Sequence, residues 1–272
     1  MLLKKENMKY DFTSPVLMYH EVTNTPERQK RIRKIDPSYS ITSEQFEKHI
    51  KYLYKSGYKT ILSDEIITNT YDRQKRFVLT FDDGLIGNYE FAFPIIREYK
   101  YLATIFVSVK NISSARFMNW EQLKELSSNG FLIQSHTMTH SPLGILSEKE
   151  IYYELSESKA CIEDKIGKEV KYLSLPYGSC NRDVFQIANE IGYVGIFTST
   201  PYKNDLTVQP FSMGRIPIKD NYNINKFAKI ISNESIYYYK MKYENNLKTM
   251  IKKIIGLNNY RKIYRFYNRI EI

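Results

Sequence analysis

Two cysteines in 272 residues, Cys161 and Cys180, are too few for a disulfide framework and read as ordinary thiols. No apolar run approaches the length that crosses a bilayer. No segment is of low complexity, and no strong linker divides the chain. The opening residues, Met1-Leu2-Leu3-Lys4-Lys5-Glu6-Asn7, lack the apolar stretch that follows the lysines of a signal peptide. With Met1 as the native start, the expectation is a cytoplasmic protein. Histidine is scarce as well: His20, His49, His136 and His140 are the full set, so imidazole chemistry has four candidates and none after residue 140.

What is present is an ordinary globular composition rich in Tyr, Lys, Ile and Asn, long enough for one large domain and an appendage. The net charge of +10 is unevenly spread. Residues 221–272 hold 11 Lys and Arg against 3 Asp and Glu, a balance of +8, which leaves the first 220 residues near neutral at +2. Basicity belongs to the tail.

Helical periodicity repeatedly ends in Gly followed by an aromatic, at Gly57-Tyr58, Gly130-Phe131 and Gly192-Tyr193, and a strand-like run follows. Strands are expected near 15–20, 59–62, 76–81, 103–109, 131–135, 172–175, 193–198 and 214–218. Helices are expected near 43–56, 88–100, 119–129, 147–167 and 181–191, the first opened by a capping box, Thr42-Ser43-Glu44-Gln45. Strands alternating with helices predict an α/β fold with a mostly parallel sheet, closed into an irregular (β/α) barrel. The rhythm stops near residue 220, so the chain divides into a barrel over 1–220 and a basic amphipathic extension over 221–272.

Three motifs follow predicted strands. Thr80-Phe81-Asp82-Asp83-Gly84 comes after Arg76-Phe77-Val78-Leu79, and His136-Thr137-Met138-Thr139-His140 after Phe131-Leu132-Ile133. Leu175-Pro176-Tyr177-Gly178 closes a third strand. Adjacent aspartates leaving a strand point in different directions, so one suits a metal and the other a proton. One Asp with two His makes a divalent-metal triad with positions open to water and substrate, and the spare Asp is a ready general base. His at i and i+4 share a face if the segment turns helically.

These motifs, in this order, make the chain resemble the polysaccharide deacetylases, the carbohydrate esterases of family four with a NodB-homology domain. The resemblance extends to Pro15-Val16-Leu17-Met18-Tyr19-His20 and Gly214-Arg215-Ile216-Pro217, and covers roughly residues 12–219. It implies a distorted barrel of seven or eight strands. It implies Asp83, His136 and His140 as ligands of one divalent cation, zinc first, with cobalt, nickel or iron as alternatives. Asp82 is then the base for a cation-activated water, and Tyr177 offers its backbone N–H to the oxyanion. Pro176 stiffens that turn and is counted with Tyr177 in substrate binding.

Two departures from the family pattern stand out. Many members place the general acid, a histidine, late in the chain; none follows His140 here. His20 ends a strand at the same rim, and the Met-Tyr-His element resembles the branch that deacetylates poly-N-acetylglucosamine, so His20 is assigned as general acid. His49, inside the first helix, is expected at the surface. The arginine that often precedes Pro-Tyr-Gly is replaced by Ser174, and Arg215 is the candidate to supply the missing cation. Trp120 could stack against a sugar ring, but core packing or a hydrophobic staple explains it equally well, and it is not counted as a site residue.

In the tail, Lys and Arg interleave with Leu247, Met250, Ile251, Ile254, Ile255, Tyr260, Ile263, Tyr264 and Tyr267. Such a segment suits an anionic membrane surface, at the inner face if the protein is cytoplasmic, or packs its apolar face on the barrel. Nucleic acid is not expected. The expected activity is de-N-acetylation of N-acetylated sugars, polymeric or lipid-linked. Two rivals are hydrolysis of acetate esters or a non-sugar amide, and non-catalytic carbohydrate binding.

Overall fold

A computed structural model describes residues 14–24, 37–68, 75–201, 211–232, 235–256, 259–260 and 262–263. The opening segment Met1–Asn7 and the tail residues Tyr264 and Tyr267 lie outside them. The strands are β1 (Val16–Tyr19), β2 (Glu21–Thr23), β3 (Ser40–Thr42), β4 (Lys59–Thr60), β5 (Arg76–Phe81) and β6 (Thr104–Val107). They continue as β7 (Leu132–Ser135), β8 (Tyr172–Ser174), β9 (Gly195–Phe197), β10 (Ser212–Met213) and β11 (Ile216–Pro217). The helices are α1 (Ser43–Lys55), α2 (Ser63–Thr68), α3 (Phe93–Glu98), α4 (Trp120–Ser128), α5 (Glu148–Ile166), α6 (Arg182–Ile191), α7 (Ile224–Ile231) and α8 (Ser235–Ile255).

The sheet is a parallel α/β barrel wall in the order β10-β9-β8-β7-β6-β5-β1-β11, with β4 added beside β5. Its two end strands are consecutive in the chain, with only Gly214 and Arg215 between them. One extended segment therefore pairs with β9 by its first half and with β1 by its second, and Arg215 sits at the seam.

Side chains alternate across this wall. Val16, Val78, Phe106, Tyr172, Phe197 and Met213 fill the interior. Leu17, Leu79, Ile105, Ile133, Leu173 and Ile196 face outward and meet the helices in a much larger core. Gly57, Gly130 and Gly192 end their helices at φ of 76°, 91° and 92°, a conformation that costs glycine least.

Four expectations are corrected. The α1 capping box is half formed: Thr42 accepts from Gln45 N at 3.1 Å, but the Gln45 amide turns away to the carbonyls of Asp220 and Tyr222. His49 is wholly buried rather than exposed, because the apolar face of α1 includes it with Phe46, Ile50 and Leu53. It stacks on Phe227 at 4.0 Å and contacts Tyr19 Oη and the Tyr222 carbonyl, both at 3.1 Å. Burial lowers its pKa to about 4. The core also runs past residue 220, since Tyr222, Phe227, Ile230 and Ile231 are buried in it. Finally, the expected 88–100 helix begins as a wide π turn over Asn88–Ala92 ahead of α3, where Pro94 has no N–H to give. Cys161 and Cys180 are both free thiols.

Candidate active site

The strand register assembles the site. Tyr19 is the partner of Phe81, so His20 leaves β1 abreast of Asp82 leaving β5, and Asp82 N donates to Tyr19 O at 3.0 Å. His136 follows β7, its N–H on Val107 O at 2.8 Å, and Ser174 ends β8. Pro176 and Tyr177 follow in a short turn. All stand at the C-terminal rim of a parallel sheet, where loop residues can converge.

Asp83, His136 and His140 each offer one ligand atom, and the three lie within 4.8 Å of one another. Asp83 Oδ1 is 3.1 Å from His140 Nε2 and 3.5 Å from His136 Nε2. His136 Nδ1 lies 2.8 Å from the Ser174 carbonyl, which can only accept, so Nδ1 carries the proton and Nε2 presents its lone pair to the cluster. The donor set is one carboxylate oxygen and imidazole nitrogens, partly buried and open on one side: it fits a borderline divalent ion such as Zn²⁺.

The two histidines do not converge by helical turning. The 136–140 segment is a loop in which Thr137 and His140 take left-handed φ of 69° and 62°. Asp83 at 72° and Tyr177 at 59° do the same, so four of the six described non-glycine residues with positive φ surround this cluster. The loop is braced from several sides. Val109 N and Lys110 N donate to the carbonyls of Thr137 and Met138 at 3.2 and 2.9 Å. Buried Glu154 of α5 accepts from Thr139 N at 2.8 Å and from the Thr139 hydroxyl.

Asp82 is buried and held by Arg215, whose Nη1 and Nη2 donate to its two oxygens at 2.6 and 2.7 Å. Arg215 is wholly buried, above the faces of Phe106 and Phe197. Its remaining donors go to Ser174 Oγ, Thr80 Oγ1 and the Thr198 carbonyl. Ser174 Oγ in turn donates to Asp82 at 3.1 Å. Burial would raise the Asp82 pKa, but Arg215 first and His136 second hold it below the ordinary carboxylate value. Asp83 is likewise lowered: burial raises it, and the charge and hydrogen bond of His140 more than offset that. His136 is lowered to about 4 by its own burial, against the pull of Asp82.

His20 lies close enough for its charge to act on both aspartates. Its ring rests on Tyr39 at 4.7 Å, and its buried Nδ1 has no hydrogen-bond partner among the described residues. Asn88, which sequence reasoning missed, positions this strand end: its Nδ2 donates to His20 O at 2.7 Å and its Oδ1 accepts from Val22 N at 3.1 Å. A side chain at Gly87 would meet Val22 O at 2.3 Å, so the approach requires glycine there. Glu154 was missed too; both residues act on backbone groups distant in sequence, which no local pattern announces. Tyr177 is 42% exposed, with its ring 4.8 Å from that of His140. Pro176 is buried in the same turn. Trp120 packs partly buried against the core.

The polysaccharide deacetylase family model matches residues 69–196. YxkH of Bacillus subtilis is 28% identical over 221 residues, covering 80% of this chain and 75% of its own. A poly-beta-1,6-N-acetyl-D-glucosamine N-deacetylase of Staphylococcus aureus is 28% identical over 209 residues, covering 68% of this chain and 69% of its own. Among solved structures, the deacetylase PplD of Streptococcus pyogenes, in complex with acetate, has a TM-score of 0.72 at 25% identity, covering 80% of this chain and 97% of that one. With its motifs at successive strand ends of a barrel that PplD shares, the chain carries a polysaccharide deacetylase domain over residues 69–196.

Proposed function

We propose that the protein is a cation-dependent de-N-acetylase of N-acetylglucosamine polymers, with β-1,6-linked chains as the first candidate. The observation that carries this reading is the convergence of Asp83, His136 and His140 beside a separately held carboxylate, Asp82. The substrate class is suggested by the activity named for the Staphylococcus aureus relative.

A divalent cation on Asp83, His136 and His140, Zn²⁺ in the first instance, would supply the Lewis acidity that acidifies water and polarises an amide carbonyl. Asp82 receives the proton of the attacking water. Arg215 and Ser174 keep Asp82 ionised and oriented, which makes it a weak base of fixed direction. Tyr177 donates its backbone N–H to the oxyanion, in a turn whose left-handed backbone is already set. His20 protonates the departing amine, so that acetate and a free amino sugar are released. The Nδ1 of His20, without a partner among the described residues, supports this role, because a buried ring nitrogen left unpaired is costly unless a ligand completes it.

The test is acetate release from β-1,6- and β-1,4-linked N-acetylglucosamine oligosaccharides by cation-loaded protein, beside an acetate ester. Release from the oligosaccharides supports the reading. Ester cleavage alone moves the activity to another bond, and no release from any of them ends the catalytic reading.

A further inference from the structure

Among its described side chains helix α8 has two apolar aspects, of which one packs. Met241 is partly buried against the core and accepts from the Tyr222 hydroxyl. Tyr239, Tyr243, Leu247, Met250 and Ile254 are exposed, between 43% and 73%. At about 100° per residue these five fall within an arc of roughly 80°, centred on the side opposite Met241. The stripe is therefore not the face that holds α8 to the barrel. Exposed Lys240 and Lys242 flank it on its two sides. Over residues 235–272 there are nine Lys and Arg against two Asp and Glu.

We propose that α8 docks the protein onto an anionic lipid surface. The stripe enters the headgroup layer, and the flanking lysines meet lipid phosphates. Charge decides among the occupants. A second copy of α8 would bring two basic faces together. A nucleic acid would meet apolar side chains where it needs cations. No described helix is long and apolar enough to cross a membrane, so the helix lies along the surface. At 21 residues it would cover about 31 Å of it. This proposal is independent of the chemistry at the barrel rim.

The experiment is cosedimentation of the full chain with vesicles of phosphatidylcholine alone and of phosphatidylcholine mixed with phosphatidylglycerol. Binding is expected to the mixed vesicles only, to weaken in high salt, and to fall at least about tenfold in the double variant Leu247→Ser, Met250→Ser. Both side chains are exposed, so an unchanged melting temperature is expected to show that the variant is folded. The proposal is overturned if the intact protein ignores the mixed vesicles, or if the folded variant binds them as well as the parent does. Concentration-dependent dimerisation abolished by the same variant would also overturn it, by giving the stripe to a second copy.

Discussion

Arg215 and Asp82 are 133 residues apart and form a two-pronged pair inside the barrel, at 2.6 and 2.7 Å. The pair closes the seam of the sheet, because Arg215 lies between the two end strands while Asp82 leaves a central one. One contact thus joins barrel closure to the orientation of the proposed base. Both partners are buried, so each depends on the other.

Replacing Arg215 by Met removes the main group that holds the Asp82 pKa down. Asp82 must be ionised to accept a proton, so the acid limb of the kcat/KM profile is expected to move to higher pH. Stability should fall by about 3–5 kcal/mol, since a buried carboxylate loses its partner. Ser174→Ala, which removes one hydroxyl from the same network, should shift the limb in the same direction by less. A profile unmoved in both variants would separate Arg215 from the chemistry.

His20→Gln should lower kcat by about 10²–10⁴, the range for a lost general acid, and leave cation affinity as it was. Calorimetric titration with Zn²⁺ beside acetate-release kinetics checks both halves. Equal loss of cation affinity would make His20 part of the ion site instead.

Glu154→Ala leaves the Thr139 N–H without its acceptor and frees the loop that carries both histidines of the proposed ion site. Cation affinity is expected to fall roughly tenfold, the lower end of what supporting groups contribute at metal sites. A calorimetric titration unchanged from the parent would show that the loop holds its shape unaided.

His49 gives a pH dependence outside the site. Its pKa is about 4 folded, against 6.5 as the ordinary value, because it is buried. Between those values the unfolded chain binds the extra proton, so stability falls as pH drops from 6.5 toward 4, by up to about 3 kcal/mol. Urea unfolding across that range should show a weaker dependence in His49→Leu than in the parent. Identical slopes would mean that His49 takes up its proton alike in the folded and unfolded chain, so that burial does not lower its pKa.

Much of the barrel was legible because glycine ends the helices and an aromatic opens the next strand, as at Gly130-Phe131. The three motifs were legible because each follows an apolar strand. What escaped was set by groups far apart in sequence. His49 lies on the apolar face of α1, but what buries it is α7, through Phe227. The strands β2 and β3 are three residues each, too short for an alternation to register. The crossing of His136 and His140 depends on left-handed backbone at Thr137 and His140, a conformation uncommon outside glycine and not announced by the local pattern. Ser174 stood out in the sequence only as a missing arginine; folded, it is the hydroxyl that joins Asp82 to Arg215.

In the proposed function, the carboxylate at 83 and the imidazoles at 136 and 140 share one cation on which deacetylation depends. The measurement that reaches it most directly is a Zn²⁺ titration of chelator-treated protein, with bound ion and acetate released from a β-1,6-linked N-acetylglucosamine oligosaccharide read on the same samples. One ion per chain is expected, with acetate release rising in step with occupancy and both lost in Asp83→Asn. Full acetate release before any ion binds, or ion binding undiminished in Asp83→Asn, would contradict it.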